Sequence, residues 1–165
     1  MGELRLRPPR MADEFAFRAA HEVMAAENFV FGLGLAPGMS WADYLGSLTG
    51  QRTGMAVPDG LVAATFLVAE VKGEIVGRAS IRHELNDFLW REGGHVGYCV
   101  LPPYRGRGHA TEILRQSLVV ARAAGVDRVL VTCAEDNVAS RRVIETCGGV
   151  FDPLPASSYR RYWIG

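Results

Sequence analysis

Apolar residues recur along the chain at two spacings, a period of two that is typical of strands and a period near 3.6 that is typical of helices. The period of two, together with short apolar runs, predicts seven strands, at residues 4–7, 65–71, 74–84, 95–101, 129–133, 150–151 and 160–164. Glycine and proline end several of these runs, and Lys72-Gly73 predicts the turn of a hairpin. Helix–strand alternation in the middle of the chain indicates an α/β (α+β) fold.

The helical spacing predicts four helices, at about residues 13–26, 40–48, 110–125 and 137–147. Asp13, Ser40 and either Asp136 or Asn137 are residue types that cap helix starts. In the first helix the apolar spacing predicts an inner face, which consists of Phe15, Ala19, Val23 and Ala26.

Length and composition place the chain among ordinary globular proteins. With 165 residues, 48% hydrophobic and 22% charged, we expect residues 1–165 to form a single domain. Eighteen basic and eighteen acidic residues cancel, which argues against nucleic acid or an anionic membrane as a partner. The N-terminus is charged and lacks the apolar segment of a signal peptide, and no apolar run in the sequence reaches transmembrane length. These features predict a cytoplasmic protein.

The cysteines are odd in number and widely spaced. Cys99, Cys133 and Cys147 form neither a CxxC pair nor a metal-ligand cluster with the four histidines. We therefore expect three small core residues and no metal site.

One stretch combines a strand, a proline turn and a helix start around glycines and arginines. Gly106 and Gly108 allow a ligand to approach the backbone, and the helix that follows begins with unpaired N–H groups. With the charges of Arg105 and Arg107, these donors predict a pyrophosphate site. Taken alone, Arg105-Gly106-Arg107-Gly108 is equally consistent with a solvated turn that binds no ligand. The stretch lacks the Gly-Lys-Ser/Thr of a Walker A motif and the later acidic residue of a dinucleotide site.

Three motifs follow one another along the chain: Gly-Tyr-Cys-Val-x-Pro-x-x-Arg-Gly-Arg-Gly-His-Ala at residues 97–110, Asn-Val-Ala-Ser at 137–140, and Glu-Thr-Cys-Gly-Gly-Val-Phe at 145–151. In this order and spacing they resemble the GNAT superfamily of acyl-CoA N-acyltransferases. They are similar to its strand and Arg/Gln-x-x-Gly-x-Gly/Ala loop, its Asn-x-x-Ser helix start, and its Glu-x-x-Gly-Phe helix end. Residues 82–86 and 93–98 are also similar to a bacterial subgroup whose substrate is unassigned.

The resemblance implies an acetyl-CoA-dependent N-acetyltransferase, in which a primary amine attacks the thioester directly within a ternary complex. It implies a mixed, mostly antiparallel sheet of six to seven strands flanked by about four helices, with splayed parallel central strands. Dimers are frequent in the family, while the sequence itself leaves both a monomer and a homodimer open. The residues that the resemblance assigns to acetyl-CoA are Tyr98, Cys99, Val100, Arg105, Gly106, Arg107, Gly108, His109, Ala110, Thr111 and Asn137.

For the chemical step, the resemblance assigns the backbone N–H of Val100 as the donor to the developing oxyanion. Many family members carry a tyrosine, acting as general acid, where this chain has Ile144. Ser140 is the substitute, although a serine in a first helical turn also bonds its own backbone.

The general base is sought at the end of one strand and the start of the next. There the sequence offers His83, Glu84 and His95, and a histidine titrates near neutral pH. Solvated or structural roles compete for each of the three, and water is an equally good proton carrier.

The acceptor, a small-molecule amine or a peptide amine, is expected to bind among residues 28–60, 84–94 and 152–160. Two alternatives to an enzyme stay open at this point. One is a catalytically silent acyl-CoA-binding sensor, motivated by Ile144, and the other is a phosphate-binding regulatory domain for nucleotides.

Overall fold

The computed structural model describes residues 2–165, which contain seven strands and four α-helices. In chain order these elements are β1 (Arg5–Arg7), α1 (Glu14–Ala25), α2 (Trp41–Thr53), β2 (Ala64–Val71), β3 (Glu74–Arg82), β4 (Val96–Val100), α3 (His109–Ala123), β5 (Val129–Ala134), α4 (Val138–Thr146), β6 (Val150–Phe151) and β7 (Tyr159–Ile164). Every stretch predicted as a strand or a helix contains that element.

The strands form two antiparallel sheets rather than one mixed sheet. The first has the order β1-β2-β3-β4, and the second has the order β5-β7-β6. In the part of the chain that the structure describes, no ladder of paired residues joins β4 to β5. Within each sheet all neighbouring strands are antiparallel, whether a hairpin turn or a longer segment connects them. The expected mostly antiparallel character is therefore present.

The two sheets meet where β4 and β5 begin. The backbone N–H of His95 donates to the carbonyl of Leu130 at 2.7 Å, and the N–H of Leu130 donates to His95 Nδ1 at 2.9 Å. Gly94 has a φ of 66°, and a Cβ there would lie 2.6 Å from the Leu130 carbonyl oxygen. Glycine is therefore required at this junction, because it permits both the backbone conformation and the close approach.

The main core lies between the sheets and helices α3 and α4. Strand alternation directs every second side chain of β2, β3 and β4 to this side, where α3 packs with its apolar stripe. The fully buried members from the two helices are Ile113, Leu114, Ala121 and Ile144. This core fixes the start of α3 against the end of β4.

A second core, on the opposite face of the first sheet, is an aromatic cluster. Phe17 of α1 lies at its centre, and the ring centroids of Phe31, Trp41, Tyr44 and Phe66 lie 5.0–5.9 Å from its own. Ring pairs at such spacings interact favourably in addition to burying apolar area. The cluster joins α1, α2 and the segment between them to the sheet.

The predicted inner face of α1 is wrong. Phe15 of that face is 88% exposed, and its other members are exposed as well, whereas Phe17, Ala20 and Met24 are buried. Both sets of residues have helical spacing. The aromatic cluster decides between them because it offers partners only to the face that carries Phe17 and Met24.

The predicted caps at Ser40 and Asn137 are confirmed, whereas the predicted capping by Asp13 is wrong. Ser40 Oγ accepts from the N–H of Asp43 at 3.1 Å, and the helix it starts runs five residues past the predicted end, to Thr53. Asp13 occupies the N-cap position of α1 but makes no capping bond; its carboxylate accepts from Arg7 at 2.7 and 2.9 Å. That pair lowers the pKa of Asp13 against the opposing effect of its burial.

A turn of π-helix, Leu89–Gly93, lies between β3 and β4 and contacts the second sheet. Arg161 of β7 is buried and donates through Nε to the carbonyl of Trp90 at 2.9 Å. Its guanidinium also lies 4.8 Å from the Trp90 ring. Arg161 therefore fixes the position of this turn.

All three cysteines are free thiols, with Cys99 and Cys133 buried and Cys147 half-buried, as the sequence predicts. Of the helices in residues 2–165, none has the length and apolar character needed to cross a membrane.

Candidate active site

The glycine–arginine loop, residues 105–111, leads from the end of β4 into α3. Gly106 and Gly108 have φ angles of 76° and 83°, in the left-handed region that favours glycine. A Cβ at either position would have no heavy atom within 4 Å, so the loop presents open backbone. Within residues 2–165, no protein group accepts a hydrogen bond from the six N–H groups of residues 106–111. Six free donors at the start of a 15-residue helix form a surface that attracts an anion.

The two arginines of this loop differ in role. Arg105 donates to Glu27 at 2.7 and 3.2 Å and, through Nε, to the carbonyl of Val100 at 3.0 Å. Its hydrogen bond holds the pKa of Glu27 below the usual range. Arg107 is exposed, and its guanidinium lies 6.0 Å from the Tyr104 ring. Arg105 thus anchors the loop to β4 and to Glu27, two residues past the end of α1, while the charge of Arg107 faces solvent.

A cleft of about 250 Å³ lies between β4 and β5, and we call it the β4–β5 cleft. The strands leave it open because their only shared hydrogen bonds, among the described residues, are those at His95 and Leu130. β4 is the edge strand of its sheet here, so one of its edges faces the cleft. The cleft is lined by Phe29, Arg78, Arg82, Gly93, Val96, Gly97, Tyr98, Thr132, Cys133, Asn137 and Ser140.

A tyrosine and a serine side chain meet in this cleft. Tyr98 Oη lies 2.7 Å from Ser140 Oγ. Burial raises the pKa of Tyr98 to about 12, against the lowering effect of this hydrogen bond. Asn137 Oδ1 accepts from the N–H of Ser140 at 3.1 Å and so caps α4. This hydrogen bond holds Ser140 in the first turn of the helix. The arrangement places a protonated phenol next to a hydroxyl that can relay a proton.

The phenol of Tyr98 is a site residue that sequence reasoning missed. Tyr98 was predicted to contact acetyl-CoA, but the tyrosine that acts as general acid in many family members was expected at the position of Ile144. Ile144 is fully buried in the main core and does not line the cleft. Strand alternation places Val96, Tyr98 and Val100 on one face, and that pattern is the signal that could have identified the side chain.

The structure separates the three predicted candidates for a general base. His83 Nε2 lies 2.8 Å from Thr65 Oγ1, Glu84 is exposed, and His95 is buried at the junction of the sheets. None of the three lines the β4–β5 cleft or the larger cavity described below. Burial lowers the pKa of His83 and, more strongly, lowers that of His95 to about 4.

His95 should make the stability of the protein depend on pH. The unfolded chain binds a proton at this histidine below a pH of about 6.5, whereas the folded protein does so only near pH 4. The free energy of unfolding should therefore fall by about 2 kcal/mol from this group as the pH drops from 7.5 to 5.0. Urea unfolding of the wild type and of His95→Asn at both pH values measures the effect, which should be smaller in the variant.

The control for this experiment is His21→Asn. His21 Nδ1 also accepts from a backbone N–H, that of Gly32 at 2.9 Å, but it lies away from the sheet junction. This variant removes a histidine that accepts the same kind of hydrogen bond outside the junction, so a weaker dependence on pH in His95→Asn than in His21→Asn would assign the effect to the junction. An equal dependence in all three proteins would contradict the role assigned to His95.

A second, larger cavity of about 780 Å³ lies beneath α2 and the π-helical turn, and we call it the apolar cavity. Residues from two of the three expected acceptor segments line it, namely 28–60 and 84–94, whereas segment 152–160 contributes none. Its walls include Leu33, Met39, Leu48, Val62, Phe66 and Leu89. Arg82 lines both the apolar cavity and the β4–β5 cleft, so the two spaces adjoin at this side chain.

The described residues, 2–165, contain no group of three or more His, Cys, Asp and Glu side chains that could hold a metal ion. The polar groups at the candidate site are free backbone donors, a buried phenol paired with a hydroxyl, and two arginines beside the cleft.

Comparisons with known proteins agree on one family. Residues 3–150 match the model of the acetyltransferase (GNAT) domain. No curated protein sequence matches the chain.

Solved structures of similar fold cover nearly the whole chain. An acetyltransferase from Agrobacterium tumefaciens str. C58 is 22% identical, with 100% of this chain and 92% of that chain covered and a TM-score of 0.64. RimJ from Mycobacterium smegmatis, solved in complex with CoA-disulfide, is 21% identical, covering 99% and 82%, with a TM-score of 0.69. The yncA protein from Salmonella typhimurium, solved with its cofactor acetyl-CoA, is 17% identical, covering 98% and 92%, with a TM-score of 0.63. The match to the domain model spans most of the sequence, and the chain belongs to the GNAT acetyltransferase family.

Proposed function

We propose that this protein is an acetyl-CoA-dependent N-acetyltransferase, which transfers an acetyl group to the primary amine of an acceptor within a ternary complex. The observation that carries the proposal is the run of six free N–H groups at residues 106–111, directly after an edge strand that borders a cleft. Membership of the GNAT family and the acetyl-CoA bound to the Salmonella typhimurium neighbour support the same function.

The residues present fit acetyl-CoA. The open backbone around Gly106 and Gly108 leaves room for a pyrophosphate, which the free N–H groups and Arg107 would hold. Pantetheine is extended and rich in amides, so the free edge of β4 at Tyr98, Cys99 and Val100 suits it as an added strand would. The side-chain amide of Asn137, on the opposite wall of the cleft, would hydrogen-bond the same arm.

Acetyl-CoA supplies an activated acetyl group, whose carbonyl carbon is attacked by a neutral amine while the bond to sulfur breaks. The backbone N–H of Val100 is the proposed donor to the oxyanion that develops at that carbonyl. The paired hydroxyls of Tyr98 and Ser140 are the proposed proton source for the departing thiolate, since both line the cleft and the phenol stays protonated at neutral pH.

A carboxylate placed in the glycine–arginine loop should weaken acetyl-CoA binding. We expect Gly108→Asp to raise the dissociation constant for acetyl-CoA by about 10-fold to 100-fold, because the new carboxylate accepts from the N–H groups that the pyrophosphate needs. Isothermal titration calorimetry measures the constant.

Gly125→Asp is the matched control for this variant. Gly125 follows the other end of α3 and has a φ of 93°, and a Cβ there would likewise have no heavy atom within 4 Å, so the backbone strain is comparable. Its affinity for acetyl-CoA should match the wild type. Equal losses in both variants, or no binding of acetyl-CoA by the wild type at millimolar concentration, would refute the proposal.

Tyr98→Phe and Ser140→Ala should each reduce kcat for thiol release by about 10-fold to 100-fold, at the low end of general-acid effects because a thiolate is a good leaving group. The KM for acetyl-CoA should change little. The double variant should lose no more than either single variant, since the two hydroxyls act as one unit.

Tyr162→Phe provides the control for the tyrosine variant. It removes a phenol that accepts from Arg160 Nε at 2.8 Å outside the cleft, so it should leave kcat unchanged. Losses that simply add in the double variant would show that Tyr98 and Ser140 do not share one role.

Acetyl-CoA binding without thiol release toward any amine would instead identify a sensor, and preference for ATP over CoA would identify a nucleotide-binding domain.

A further inference from the structure

Arg82, the last residue of β3, lies where the β4–β5 cleft and the apolar cavity meet, and it lines both. Its guanidinium covers Gly97 of β4, where a Cβ would lie only 3.1 and 3.2 Å from the two Nη atoms. Nη1 donates to the carbonyls of Gly93 and Gly94 at 3.3 and 3.5 Å, which are long hydrogen bonds. The remaining N–H groups of Arg82 have no acceptor among residues 2–165.

Arg78 lies on the same face of β3, with Ser80 between it and Arg82, and adds a second positive charge. It is 3% exposed and donates to the carbonyls of Phe31, Val30 and Gly97 at 2.7–3.1 Å. Neither guanidinium forms an ion pair within residues 2–165, whereas Arg105, Arg160 and Arg161 each do.

A buried cation, Arg78, and a half-buried one, Arg82, without a carboxylate partner are costly, because buried charges are normally paired. Burial, and next the charge of Arg78, lowers the pKa of Arg82 to about 10. The hydrogen-bonding groups of Arg78 are already used on three carbonyls, while those of Arg82 are not. An anionic group of a substrate, held by Arg82, would compensate this charge and complete its hydrogen bonds.

The space on the far side of Arg82 is suited to an apolar group. The walls of the apolar cavity are formed mainly by aliphatic and aromatic side chains, among them Leu48, Val57, Leu61, Phe66 and Phe88. At about 780 Å³ the cavity is within the range of small-molecule sites and is large enough for an aromatic side chain. The acceptor must therefore combine an amine, an anionic group and an apolar body around one point near Arg82.

We propose that the acceptor is a free α-amino acid with a large apolar side chain, whose carboxylate pairs with Arg82 and whose side chain enters the apolar cavity. In such a molecule the amine, the carboxylate and the side chain are attached to one carbon, so the amine would face the β4–β5 cleft past Gly97. This inference rests on the proposed function, since the amine is placed to meet an acetyl group held in that cleft.

Pairing with Arg82 also helps the amine to react. The carboxylate of a free amino acid holds the neighbouring ammonium protonated, and neutralising that carboxylate while adding the positive potential of Arg78 lowers the pKa of the amine. The neutral nitrogen then forms a bond to the acetyl carbon while the carbon–sulfur bond breaks. The nitrogen releases a proton to water, the sulfur gains one from Tyr98, and Tyr98 regains a proton from water through Ser140. The products are the N-acetylamino acid and CoA.

The test compares matched acceptors in a thiol-release assay with acetyl-CoA. L-Phenylalanine should exceed phenethylamine and L-phenylalaninamide, which lack the carboxylate, by about 100-fold in kcat/KM, and it should exceed L-alanine, which lacks the apolar group, by about 10-fold or more. Arg82→Gln should remove the advantage of L-phenylalanine over phenethylamine, so that the ratio of their kcat/KM values falls from about 100 towards 1. Arg122→Gln, which removes an exposed arginine at the far end of α3, should keep wild-type values.

A binding measurement gives a readout that does not depend on acetyl transfer. Calorimetry with CoA-saturated protein should show binding of L-phenylalanine to the wild type and to Arg82→Lys, which keeps the charge, but not to Arg82→Gln. Thermal melts establish that each variant is folded.

The inference is overturned if phenethylamine or the dipeptide Phe-Ala is acetylated as efficiently as L-phenylalanine, or if Arg82→Gln keeps the preference for the carboxylate. In those cases acetyl-CoA still binds and thiol is still released, so the proposed function stands. Failure of the wild type to bind acetyl-CoA is a separate result, and it overturns the proposed function together with this inference.

Discussion

Replacing Phe17 by alanine should lower the free energy of unfolding by about 4 kcal/mol, the largest loss expected from any single side chain in α1. Phe17 has no exposed surface, and four aromatic rings surround it at 5.0–5.9 Å. The variant removes that apolar burial and leaves a cavity that neighbouring rings cannot all move to fill. Because the cluster attaches α1 and α2 to the sheet, the walls of the apolar cavity should also loosen.

Phe15→Ala is the matched control on the same helix. Phe15 is 88% exposed, and alanine is a better helix former than phenylalanine, so this variant should unfold within about 0.5 kcal/mol of the wild type. Urea unfolding followed by circular dichroism measures both variants. Similar losses in the two would mean that α1 does not bury the face that carries Phe17.

Gly77→Ala should cost about 3 kcal/mol, at the upper end of overpacking effects, because two paired strands would have to move apart. An added Cβ at Gly77 would lie 2.2 Å from the carbonyl oxygen of Cys99 and 3.2 Å from Ile113 Cδ1. The first contact is with backbone, so no rotation of a side chain relieves it. Since β4 borders the cleft, the affinity for acetyl-CoA should fall with the stability.

Gly46→Ala is the control, at a glycine in α2 where a Cβ has no heavy atom within 4 Å. Alanine there should raise the free energy of unfolding by up to about 1 kcal/mol, since it favours the helix and restricts the unfolded chain. Chemical unfolding and calorimetry with acetyl-CoA check both variants. A neutral Gly77→Ala would show that β3 and β4 are less closely paired at this point than described.

Features with a local cause were predictable from sequence. The capping serine of α2 and the glycines of the loop before α3 act through groups a few residues away, and both were placed correctly. The inner face of α1 was not, because two apolar stripes have helical spacing and the choice depends on Phe66, which lies some fifty positions along the chain.

At the candidate site, too, local features were predictable from sequence and contacts between distant positions were not. The pairing of Tyr98 with Ser140 spans 42 positions, and strand alternation predicts the face of Tyr98 but not its partner. His95 was predicted as a candidate base, yet its ring accepts from Leu130, 35 positions away, which ties it into the junction of the sheets. Arg82 was missed, although Arg78, Ser80 and Arg82 place three polar groups on one face of an otherwise apolar strand, and that pattern was visible in the sequence.

The pairing of Arg105 with Glu27 has a consequence for how an anion is attracted to the loop before α3. With that guanidinium neutralised within the protein, Arg107 alone adds net positive charge among the residues of the loop itself, and the remaining attraction comes from short-range N–H dipoles. Such dipoles act over a few ångströms, well inside the Debye length of about 8 Å at physiological salt. Anion affinity at this loop should therefore change little with ionic strength, so that recognition depends on the shape of the backbone rather than on long-range steering.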